Sequence, residues 1–85
     1  MGPAAAQELI GKIQSADGYA IPYAQVEVCG PSQDCREVYS DRGGEFYLEG
    51  LEAGHNVLKL PGKAAPQELD AFITDGTNRR TFTVD

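Results

Sequence analysis

Apolar and polar residues alternate with a period of two along much of this 85-residue chain. Ala24, Val26 and Val28 fall on one side of an extended segment, and Gln25, Glu27 and Cys29 on the other. Phe46 and Leu48 alternate with Glu45, Tyr47 and Glu49, and Phe82 and Val84 with Thr81 and Thr83. Leu9, Gly11 and Ile13 alternate with Glu8, Lys12 and Gln14, where Ile10 breaks the pattern. Successive side chains of a strand point to opposite faces, so this alternation marks half-buried strands. Turn residues separate the runs at Asp17-Gly18, Gly30 to Asp34, Asp41 to Gly44, Glu52 to Gly54, Pro61-Gly62 and Asp75 to Asn78. Gly and Asn tolerate positive φ and Pro fixes φ, so each cluster has a physical reason to turn.

The pattern predicts strands at about 8–15, 23–29, 35–40, 45–50, 55–60, 67–74 and 79–84. Facing stays open near Val57, whose neighbour Leu58 is also apolar. The segment Gly62 to Leu69 holds good helix formers, but Pro66 in its middle disfavours helix at the residue before it, so it reads as a loop entering a strand. Short strands at this spacing predict an all-β fold, a seven-stranded sandwich in one domain over 8–85. Residues 1–7 are set aside as a tail, with Ala4-Ala5-Ala6 a remnant of signal cleavage or of cloning.

A hairpin of 23–29 with 35–40 has a register that tests itself. Placing Val26 opposite Val38 also places Ala24 opposite Ser40 and Cys29 opposite Cys35. Extending the same logic to 46–50 sets Val38 opposite Leu48 and Tyr39 opposite Tyr47, a three-strand meander with its apolar residues on one face.

Cys29 and Cys35 are the chain's two cysteines, and an even count at hairpin spacing points to a disulfide. Closing so short a loop stabilises by roughly 2 kcal/mol in the chain-entropy model. It would also place the protein in an oxidising, extracytoplasmic compartment: periplasmic, cell-surface or secreted. Two free thiols remain the alternative. Zinc wants four ligands, and two thiols with the single histidine, His55, supply three.

Composition narrows the function. With 41% hydrophobic and 24% charged residues the chain has the make-up of a folded domain. Thirteen acidic against seven basic residues give a net charge of −6, which repels phosphate backbones and argues against nucleic acid. No apolar run approaches the ~20 residues of a membrane helix, so no membrane insertion of this domain is expected.

Catalysis needs a base beside a nucleophile or two carboxylates at a set distance. The acids here are dispersed, and His55 follows a glycine turn as a solvent-facing strand start. No catalytic residue, metal site or cofactor is expected. Asp17, Asp41 and Asp75 could meet as calcium ligands only if three separate turns converged, and Asp is also an ordinary turn residue. Tyr19, Tyr23, Tyr39 and Tyr47 are the aromatics expected at the surface. Tyr39 and Tyr47, side by side in the register above, form a candidate binding surface that could stack on a sugar or anchor a protein. A cross-strand aromatic pair that stabilises the sheet is the alternative.

Several segments resemble the carboxypeptidase regulatory-like domains, a transthyretin-like β-sandwich family. Leu9 to Ile13 followed by Asp17-Gly18 is similar to the family's first element. Ile21 to Val28 looks like its strand with alternating Ala and Val, and Ser40 to Leu51 like its turn and strand of the form T-D-x-x-G-x-F-x-l-x-g-L. Glu52-Ala53-Gly54 and the stretch from Ile73 to Val84 are similar to its later turn and last hairpin. The resemblance implies a Greek-key sandwich that serves as an accessory module in secreted or surface proteins. Such relatives bind starch or other glycans, brace a catalytic domain or form stalks. A related sandwich family links a first-strand Lys to a last-strand Asn. Lys12 occupies the first position, but the strand at 79–84 contains no Asn, with Asn78 in the preceding turn. Tyr47 to Leu51 also looks like a segment of the C-terminal domain of fimbrial ushers, although the further cysteine pairing expected there has no counterpart here. The expectation is a non-enzymatic structural or protein-interaction module whose partner is a protein or other domains of a larger assembly. The alternatives are a carbohydrate-binding module using Tyr39 and Tyr47, and an usher domain contacting pilus subunits.

Overall fold

The computed structural model describes residues 7–62 and 65–84. All but the last residue of the expected tail at 1–7, and the middle of the 62–69 loop, lie outside the described residues. Seven strands follow one another, with no helix among the described residues: β1 (Gln7–Ser15), β2 (Gln25–Cys29), β3 (Cys35–Tyr39), β4 (Glu45–Leu51), β5 (Gly54–Leu60), β6 (Gln67–Ile73) and β7 (Thr77–Val84). β1 begins one residue inside the segment set aside as tail. Gln7 is buried there, and its side-chain amide donates to Asp75 Oδ1 at 2.9 Å.

The strands divide between a three-stranded sheet, ordered β4-β1-β7, and a four-stranded sheet, ordered β3-β2-β5-β6. Leu9, Ile13, Phe46, Leu48, Phe82 and Val84 of the first sheet share one core with Val26, Val28, Leu58, Leu60, Ala71 and Ile73 of the second. Each is an apolar residue in the inward phase of its strand, and burying one fully contributes about 1.5–3 kcal/mol. At 57–58 the ambiguity resolves with Leu58 buried and Val57 on the outer face. Ile10 faces outward between Tyr47 of β4 and Arg79 of β7.

The β2–β3 register sets Val26 opposite Val38 and Cys29 opposite Cys35. The meander beyond it is overturned: β4 pairs antiparallel with β1, with Leu48 opposite Leu9 and Tyr47 opposite Ile10. Val38 and Leu48, and Tyr39 and Tyr47, therefore belong to different sheets. The turn after β3 carries the chain across. Ser40, buried, donates from Oγ to Ile21 O and accepts from Ala24 N, both at 2.8 Å. Asp41 Oδ1 accepts the amides of Gly43 and Glu45, closing the turn. Gly44 then packs its backbone against β1, its carbonyl accepting the amide of Ile13. Its φ is +78°, and a Cβ there would lie 2.6 Å from Ile13 O, so only glycine fits.

Two arginines tie the open sides of the sandwich. Arg36 of β3 donates to the carbonyls of Glu49 and Gly50 on β4. Arg80 of β7 donates to Phe72 O on β6 at 3.0 Å. Each sits in the inward phase of a sheet-edge strand, and its guanidinium satisfies edge carbonyls of the opposite sheet.

Asn78 does similar work at one end. β7 starts two residues before the expected strand and contains Asn78, which is buried beside Leu9. Its Oδ1 accepts Thr74 N and Oγ1, and its Nδ2 donates to the carbonyls of Glu8, Thr74 and Gly76. The β6–β7 turn is thereby fixed to β1. Lys12 lies beside Glu45 and Thr81, away from Asn78.

Candidate functional site

Four tyrosines break the rule that large rings are buried. Tyr19, Tyr23, Tyr39 and Tyr47 retain between 47% and 74% of their surface. Three of them share one end of the molecule. Tyr19 follows β1, where its carbonyl accepts Ser15 N, and Tyr23 N donates to Ser40 O just beyond Tyr39. Tyr23 holds φ at +55°, unusual for an aromatic residue, and the Ser40 bonds on either side keep it there. The chain thus accepts local strain where it presents a ring.

Tyr39 and Tyr47 are not cross-strand neighbours, yet the fold brings both to one groove. It has a volume of about 370 Å³ and is lined by Ile10, Tyr39, Asp41, Glu45, Phe46 and Tyr47. Tyr39 comes from the end of β3 and Tyr47 from β4, so the groove runs over the line where the two sheets meet. Its walls offer aromatic faces and its rim carboxylates, a combination suited to the apolar and hydroxyl faces of a sugar or to a peptide.

Tyr47 is oriented from below. Its hydroxyl donates to Glu8 Oε2 at 2.7 Å, and Thr77 Oγ1 donates to Glu8 Oε1 at 2.8 Å. One carboxylate so links β4, β1 and β7 across the outer face. The Glu8 bond, with smaller contributions from burial and the nearby charge of Glu49, pushes the Tyr47 hydroxyl up from 10.0 to about 12. In return the Tyr47 hydroxyl, then Thr77, holds the Glu8 carboxyl below its ordinary range.

Other candidates fall elsewhere. His55 Nε2 lies 2.7 Å from Asp70 Oδ1, and its ring lies 5.8 Å from that of Phe72, on the outer face of the four-stranded sheet. Asp75 meets Gln7 at the start of β1, whereas Asp17 follows its end, so the three turn aspartates do not converge. Cys29 and Cys35 are joined by a disulfide on the outer face of the β2–β3 hairpin. The sequence alone gives Arg36 and Arg80 no role and sets Asn78 in a turn rather than buried in β7. Their signal was a polar residue in phase with inward apolar ones: Arg36 with Val38, and Asn78 and Arg80 with Phe82 and Val84.

No protein-family model matches the chain, and no curated protein matches it.

Proposed function

We propose that this chain is a non-enzymatic interaction module of a secreted or cell-surface assembly. In this reading the two-sheet fold is a transthyretin-like Greek-key sandwich of the carboxypeptidase regulatory-like kind. Its partner is a protein or a neighbouring domain, met at the tyrosine-bearing end. The observation that carries the reading is the set of four exposed tyrosines with the Tyr39–Tyr47 groove among them. Tyrosine supplies large contact area for little lost rotamer freedom, which is why it recurs at interfaces. The disulfide in so small a domain favours an extracytoplasmic setting. Catalysis lacks support, because the one histidine sits on a carboxylate away from this groove.

The test is a photo-reactive phenylalanine analogue at position 39, with position 81 on the outer face of β7 as control. The reading predicts a protein adduct from position 39 alone. Equal labelling from both positions sinks it.

The same groove favours a second reading, a glycan ligand stacked on Tyr47. Affinity electrophoresis in soluble polysaccharides separates the two. Retardation that disappears in Tyr47→Ala moves the conclusion to sugar, and no retardation removes that reading.

A further inference from the structure

The outer face of the β2–β3 hairpin brings together three groups of metal-ligating chemistry. Cys29 Sγ, Cys35 Sγ and a Glu27 carboxylate oxygen all lie within 4.8 Å of one another. Two observations decide what becomes of them if the disulfide is opened. First, the hairpin is held by ties besides the sulfur bond. Gly30 N donates to Asp34 O and Gln33 N to Gly30 O, both at 3.0 Å, and β2 is held on its other side by β5. Second, Cys35 is exposed, so a reductant and then an ion can reach the sulfurs.

We infer that reduction of the Cys29–Cys35 disulfide creates a three-ligand site for a zinc-class cation, formed by both thiolates and the Glu27 carboxylate. The site is gated by redox state, because the disulfide removes two of its ligands. A phosphine reductant supplies the electrons: the phosphine takes up oxygen from water, the S–S bond breaks, and two thiols form. The ion then displaces the two thiol protons and accepts both thiolates and the carboxylate. Zinc tolerates three protein ligands with an open fourth position for water, and thiolate and carboxylate both suit it. Three anionic ligands on a dication leave one negative charge. Lys59 Nζ, 3.8 Å from Glu27 Oε1, stands where it offsets that charge. His55 is not part of the cluster, being held on Asp70.

The experiment reduces the whole chain with a phosphine, removes the reductant under inert gas, and titrates cadmium and zinc. Cadmium is followed by its thiolate charge-transfer absorbance and zinc by competition with a chromophoric chelator. The expected result is one ion per chain in the reduced protein and none in the oxidised protein. Outer-shell partners alone are worth 10- to 100-fold in affinity, so Glu27→Gln should weaken binding by at least roughly tenfold. Glu37→Gln, the cross-strand neighbour of Glu27, should leave it unchanged. Near-ultraviolet circular dichroism of the reduced protein checks that the fold is retained. Absence of binding by the folded reduced protein overturns the site. So does equal affinity in Glu27→Gln, which leaves only a bare dithiol, or an equal loss in Glu37→Gln, which reduces the effect to general charge. Unfolding on reduction overturns it too.

Discussion

Glu8 and Tyr47 show how one exposed contact writes a pH dependence. The Glu8 carboxyl is held down, so its contribution to stability is complete above the ordinary carboxyl value and is lost as pH falls through the lowered one. The Tyr47 hydroxyl is raised, so its share is complete below 10.0 and is lost as pH climbs toward about 12. Glu8→Gln should bring the Tyr47 titration back toward its ordinary value, read from the ring carbon shifts in NMR. A Tyr47 that still titrates near its present value would show that burial, not the hydrogen bond, raises it. Gly11 carries a different residue-scale prediction. A Cβ at Gly11 would fall within the buried ring of Phe46, its cross-strand neighbour. Gly11→Ala should therefore cost about 1–3 kcal/mol in denaturant unfolding, an overpacking penalty, unless the Phe46 ring finds another rotamer.

Asn78 matters most among single side chains for the placement of a whole element. It bonds to β1 and to Thr74 and Gly76 of the β6–β7 turn, all from one buried amide. Asn78→Ala strands several of those groups and should destabilise by about 3 kcal/mol in urea unfolding. A loss under ~1 kcal/mol would mean that water replaces the amide. The strands themselves were legible in the sequence, because alternation and turn chemistry are local. The partner of β4 was not. Inward Phe46 and Leu48 say that a face is buried, but not which strand lies alongside. A consecutive hairpin is the simplest guess until the Ser40–Asp41 turn is seen to cross between sheets. Likewise alternation marked Tyr39 and Tyr47 as outward, while their common groove depends on how two sheets meet. Arg36 and Arg80 were legible only as anomalies, charged residues in an inward phase.

At the scale of the molecule, a domain of 85 residues has one modest core and leans on its covalent tie. Replacing both Cys29 and Cys35 by serine should lower unfolding free energy by about 2 kcal/mol without altering the groove. Equilibrium denaturation measures the first, and the Tyr47 resonances report the second. A loss far larger than this would show that the sulfur bond, rather than the hydrogen bonds of the hairpin, sets the shape of this end. The same variant would tell whether the tyrosine-bearing end and the disulfide-bearing end are energetically independent.

β1 and β7, side by side, run in the same direction from Glu8–Thr77 to Ser15–Val84. Gln7 and Val84 thus lie at opposite ends of one ladder. A pull applied at those two residues draws the strands past each other along their length. The hydrogen bonds of the ladder then carry the load together rather than opening one at a time. Force in that direction would load the whole β1–β7 ladder in shear.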